Sequence, residues 1–132
     1  MHNPPPMLPG PRLVLLAAAV AALLGCGSAT DDRPAKWSFI SASITEPSCA
    51  TVNCHSAVAQ KSGVDLHDRA TGWTSLTKYG FTTLADPNDP TSAPVLYLMR
   101  ARGSIRMPPD VPLPEADINL IQTWINAGAN ND

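Results

Sequence analysis

Two cysteines and a histidine dominate the chemistry open to this chain. They lie in Pro47-Ser48-Cys49-Ala50-Thr51-Val52-Asn53-Cys54-His55, where four residues separate the cysteines and His55 follows the second directly. Closely spaced thiols ending in Cys-His are the attachment pattern of c-type haem. The two thiols can add to the porphyrin vinyl groups as thioethers, and the adjacent imidazole then falls under the iron as its proximal ligand. The usual pattern has two residues between the cysteines. Thiols three positions apart share a helix face, whereas thiols five apart stand about 140° from one another. An unbroken helix therefore cannot present both to one porphyrin. Haem attachment requires Ala50 to Asn53 to bulge outward while Cys54 and His55 keep their relation. The other reading of these residues is a Cys49–Cys54 disulfide closing a small loop, with His55 on the surface.

An iron held by His55 needs a group on its opposite side, and the downstream candidates are Met99, Met107 and His67. Met107 is the best placed, because Pro108 and Pro109 restrict the loop that carries it and can present the thioether rigidly. Met99 falls on the inner stripe of an expected helix and reads as core filling. His67 follows Leu66 in a polar turn and reads as an exposed side chain. Arg100, Arg102 and Arg106 gather near the Met107 loop. They fit equally a solvated surface and a set that pairs with haem propionates or docks an acidic redox partner.

The elements that must position these groups come from a chain of 132 residues, 44% hydrophobic and 15% charged, with 14 prolines and three cysteines. That size allows one small domain. Leu13 to Gly25 form an apolar run after Arg12, too short for a permanent membrane span and suited to the core of an export signal. Its ending, Leu23-Leu24-Gly25-Cys26, resembles a bacterial lipobox, which implies cleavage before Cys26 and a lipid on that cysteine. Residues 1–25 are then the signal peptide, 26–38 the lipidated terminus with a flexible tether, and 39–130 the folded domain. With Cys26 acylated, the two cysteines left are those of the Cys-His stretch, and export puts them in an oxidising compartment. Residues 26–132 carry eight Lys and Arg against eleven Asp and Glu. Without a basic cluster, nucleic acid is an unsuitable partner.

Pro47 suits the first turn of a helix leading into Cys49. Ser56 to Lys61 are helix-compatible, ending near Gly63. Arg69 to Lys78 form a second short helix, with Gly80 as its C-terminal stop. Asp86 to Pro90 are a loop. Ser92 is a candidate N-cap for a helix over residues 93–100, with Val95, Leu96 and Met99 inward. Gly103 to Leu113 are irregular. Ile118, Ile121, Trp124 and Ile125 then mark one stripe of a last helix, preceded by Leu113 as a hydrophobic staple and ended near Gly128. No strand-like alternation follows Cys26. The expected fold is all-α, with about four short helices and long loops around a covalent haem.

The order of these motifs, from Cys-to-Cys-His through Gly63-Val64-Asp65-Leu66, Ser92 to Leu96, Met107-Pro108-Pro109 and Trp124-Ile125 to Ala127-Gly128-Ala129, resembles the planctomycete-type cytochrome c domain. That domain belongs to the mono-haem cytochrome c class, and the similarity runs from about Ile40 to Ala129. The resemblance implies that Cys49 and Cys54 carry the thioethers of haem c, that His55 and Met107 ligate the iron, and that the last helix packs across the cysteine-bearing one. It departs from the family in the wider cysteine spacing and in Pro114, which stands where the family often has a serine cap. The expected role is a lipid-anchored electron carrier on the periplasmic side of a bacterial membrane, serving redox partner proteins and not an enzyme. The alternatives are a lipoprotein binding module with a Cys49–Cys54 disulfide and no haem, and a haem sensor or peroxidase-like site in which Met107 is labile. No catalytic dyad is evident, since Glu46, Asp65, Asp68, Asp86, Asp110, Glu115 and Asp117 are scattered over turns and helix starts.

Overall fold

Pro47 shapes the first helical body. Proline has no N–H to donate and its ring crowds the carbonyl four residues back, so a helix that runs through it must widen or bend. In the computed structural model, which describes residues 30–132, the chain becomes helical at Trp37, ten residues before that proline. Helix α1 (Trp37–Ile40) passes into a π-helical turn (Ser41–Thr45) and then into α2 (Glu46–Cys49). The Glu46 N–H reaches five residues back to the Ser41 carbonyl, and the Ala50 N–H five back to that of Thr45 at 3.2 Å. The widened turn absorbs the missing donor. It also lets the buried Ser41 hydroxyl donate to the Glu46 carboxylate at 2.6 Å.

Three further helices follow: α3 (Arg69–Lys78), α4 (Pro94–Arg100) and α5 (Glu115–Asn126), with single 3₁₀ turns at Lys61–Gly63 and Gly103–Ile105. No strand occurs among the described residues, so the fold is all-α. Asp68 caps α3, its carboxylate accepting from the Thr71 N–H at 2.9 Å. At its other end Gly80 takes φ +72°, the left-handed conformation that lets the chain leave a helix without a Cβ clash. Helix α4 starts differently from expectation. Ser92 turns its hydroxyl to the carbonyls of Asp86 and Asp89, closing that loop, and Pro94 opens the helix with Ala93 before it. The helix read at Ser56 to Lys61 does not form either. Gln60 and Ser62 sit at φ +38° and +59°, and the Ser56 hydroxyl accepts from the Ala59 N–H in a tight turn.

The core joins the two ends of the fold. Trp37 of α1 stacks on Trp124 of α5 with ring centroids 4.9 Å apart and planes 26° from parallel. Around them lie Ile40, Ile44, Leu96, Ile118, Ile121 and Ile125, so the stripe read from the last helix is its buried face. Each of the three indole N–H groups is satisfied by a backbone carbonyl: Trp37 by Arg69, Trp73 by Ala129 and Trp124 by Asn130. Gly72 allows the close crossing of α1 and α3, since a Cβ there would stand 3.1 Å from the Trp37 ring. Asp132 ties the chain end to the start of α1, accepting from the N–H groups of Trp37 and Ser38. Arg33 pairs with Asp117, and the folded unit begins at Arg33, so it takes in residues up to Ser38 that composition places in the tether. The apolar run and Cys26 lie outside the described residues. Among those described, no helix is long and apolar enough to cross a membrane.

Candidate functional site

Helix α2 stops at Cys49, and residues 50–68 run on to α3 without regular structure beyond one 3₁₀ turn. The His55 N–H donates to the Cys49 carbonyl at 3.1 Å, which brings the histidine backbone beside the first cysteine despite the residues between. The Cys54 N–H donates to the Thr51 carbonyl at 2.9 Å, tightening the turn from inside. Thr51, Val52 and Asn53 consequently stand out in solvent while Cys49, Cys54 and His55 remain half-buried. The chain thus leaves the helix at the first thiol, which frees the second from helical spacing.

Both thiols are unpaired. Burial, and then the nearby Cys54, push the Cys49 thiol up to about 11. A thiol so placed stays protonated at neutral pH and is a poor nucleophile. The His55 ring is oriented by the backbone, its Nδ1 lying 3.2 Å from the Val64 carbonyl. That contact requires the proton on Nδ1 and leaves the Nε2 lone pair for a ligand. The same strand of chain is tied to His55 a second time, because the Leu66 N–H donates to the His55 carbonyl at 2.7 Å. Val64 and Leu66 are buried, so this bracket is fastened to the core.

Met107 is placed by another set of contacts. Its N–H donates to the Leu98 carbonyl of α4 at 3.0 Å, and the peptide bond to Pro108 is cis. Arg106 folds its guanidinium over the loop, Nε donating to the Pro108 carbonyl at 3.2 Å and Nη2 to that of Pro109 at 2.8 Å. The side chain of Met107 is half-buried. No hydrogen bond among the described residues joins Met107 to the Cys49–His55 turn.

The remaining candidates resolve into structural roles. Met99 is 6% exposed and belongs to the core. His67 has both ring nitrogens on carboxylates, Nδ1 at 2.7 Å from Asp65 and Nε2 at 2.8 Å from Asp68, so neither is free for a metal. Arg100 is spent on α5, bonding Glu115, Asn119 and Gln122. The arginine cluster is therefore mostly internal bracing.

The donor set suits a covalent c-type haem in kind: two unpaired thiols, an imidazole oriented by its far nitrogen, and a thioether in a braced loop. Among the described residues no three His, Cys, Asp or Glu side chains converge as a metal cage. Two surface grooves, of about 560 and 380 Å³, lie along α4. The smaller is lined by Met99, Arg106 and Leu113, and neither is lined by the cysteines or His55. Sequence reasoning missed the Val64 carbonyl, which carries no residue-type signal, and the Arg106 clip. The arginine's position directly before Met107 was the available hint. Comparison with protein-family models, curated proteins and solved structures finds no match for this chain.

Proposed function

We propose that the chain is a periplasmic electron carrier, anchored through a lipid on Cys26, with haem c attached at Cys49 and Cys54 and ligated by His55 and Met107. The observation that carries the reading is the His55 ring, whose Nδ1 faces the Val64 carbonyl at 3.2 Å beside two unpaired thiols. When bound, the iron porphyrin supplies one-electron exchange. His55 would offer its Nε2 lone pair to the iron, and the Val64 carbonyl would raise the basicity of the ring through the proton on Nδ1. Met107 offers a thioether, which favours the reduced metal relative to a second imidazole. Cys49 and Cys54 would hold the group covalently. With His55 and Met107 both committed to the iron, the group would have no place for a substrate, and the role would be transfer of charge to and from redox partner proteins.

The test is production of the full chain in a host that matures c-type haem. The expected outcome is a haem stain that survives boiling in detergent, a low-spin spectrum on reduction, and an acylated N-terminal Cys26 by mass spectrometry. A colourless protein whose mass is lower by two hydrogens, with Cys49 bridged to Cys54, would overturn the haem reading. Met107→Ala should leave the iron one protein ligand short and admit carbon monoxide, which the parent is expected to exclude. Ready binding by the parent would replace the closed carrier with a site in which Met107 is labile.

A further inference from the structure

Between Val64 and Leu66, the two residues that bracket His55, stands Asp65, a carboxylate only 7% exposed. Its position is over-determined. Oδ1 accepts from the His67 N–H at 3.0 Å and from the His67 ring at 2.7 Å, and Oδ2 accepts from Gln60 at 3.0 Å. The Asp65 N–H donates to the Ser75 hydroxyl of α3 at 3.2 Å. These bonds peg the centre of the three-residue segment whose two ends hold His55.

The peg contains a titratable group. Carboxylates accept and cannot donate, so an imidazole bonded to one at each nitrogen carries both protons. A neutral ring has one proton for two carboxylates and must give up one of the bonds. The charged groups around His67 are Asp65 on its own segment, Asp68 at the start of α3, and Glu46 from α2, all acidic. The bond from Asp65, followed by attraction to Asp65, Asp68 and Glu46, holds the His67 ring protonated above its ordinary 6.5. His67 is 41% exposed at its side chain, open to exchange with solvent.

We propose that Asp65 is the positioning residue of His55, fixing the Val64 carbonyl against Nδ1, and that the proton on His67 is linked through it to the electron affinity of the site. The linkage rests on the haem reading above; the placement of His55 by Asp65 does not. Losing the His67 proton removes a positive charge from the neighbourhood of the site, which favours the oxidised metal. The midpoint potential therefore falls as pH rises through the His67 titration.

Two measurements separate the inference from the reading it builds on. In the holoprotein, the potential should slope downward with pH above 6.5, and His67→Gln should flatten that slope. A slope unchanged in His67→Gln, or none in the parent, overturns the linkage. In the full chain without haem, the carbonyl resonance of Val64 should shift with the His67 titration in the parent and stay fixed in His67→Gln. Asp65→Asn should abolish the shift, and Asp65→Glu should restore part of it. A Val64 carbonyl indifferent to His67 overturns the positioning role whether or not haem attaches, whereas failure to attach haem with the resonance shift intact sinks only the carrier.

Discussion

The turn from Cys49 to Leu66 and the loop from Gly103 to Leu113 each carry one residue of the candidate site, and they hold it by opposite means. His55 is bracketed by two buried residues, and the peptide between them is pegged to α3 through Ser75. Met107 sits in a surface loop, fixed by one backbone bond to Leu98 and by an arginine gripping the carbonyls that follow. Ile105 and Val111 on either side of it are largely exposed. His55 is thus tied into the core's construction, and Met107 is clipped to its outside. Perturbing the first should cost global stability, whereas perturbing the second should change local opening.

Leu66→Ala makes the severest break. It removes a side chain 5% exposed and should destabilise the protein by about 2–5 kcal/mol in chemical denaturation. Val111→Ala, on the opposite loop, should stay within about 0.5 kcal/mol. Equal losses at the two sites would erase the contrast. Ser75→Ala strips the partner from the Asp65 N–H in a buried position and should cost about 1–3 kcal/mol, read from the same denaturation curves. Arg106→Ala should leave the melting temperature nearly intact yet quicken exchange of the Met107 amide by roughly tenfold, the value of one net hydrogen bond. An amide whose exchange is unchanged would mean that the prolines hold the loop unaided.

The smallest effect is the most diagnostic of the Cys49–Leu66 side. Burial opposes the charge on Asp65, but the backbone and ring bonds from His67 outweigh it and lower this carboxyl below its ordinary 3.8. Asp68 is lowered by the Thr71 N–H, against a smaller opposing effect of desolvation. The stability these two contribute is present above pH 3.8 and drains away as pH falls through their lower folded values. His67, raised above 6.5, contributes fully below that pH and loses its contribution as pH rises through its folded value. The melting temperature should accordingly be highest between about pH 4 and 6.5. His67→Gln should remove the decline on the alkaline side; identical profiles would show that the ring bears no weight.

Legibility in the sequence followed the range of the interactions. The apolar stripe of α5 was readable because helical spacing alone brings Ile118, Ile121, Trp124 and Ile125 onto one face, and α3 was readable with Gly80 as its stop, whereas its Asp68 cap came only from the structure. Helix α2 was visible only from Pro47 onward, because the π-helical turn that carries the chain through the proline depends on buried packing of Trp37, Ile40 and Ile44. Ser56 to Lys61 read as helix from propensity and folded as turns, since two left-handed residues serve the return of the chain to His55. The candidate ligands could be named from type and spacing, while their supports could not.

What residue order determined by itself was the chemistry on offer: two thiols and an imidazole adjacent in the chain, a methionine between arginine and proline, and helices whose apolar faces repeat locally. Only tertiary structure decided how those groups are held. The Val64 carbonyl, the Asp65 peg and the Arg106 clip act through backbone atoms and through partners brought in by the fold. A carbonyl belongs to every residue alike, so its selection as a partner is written in the folding of the chain and not in the letters.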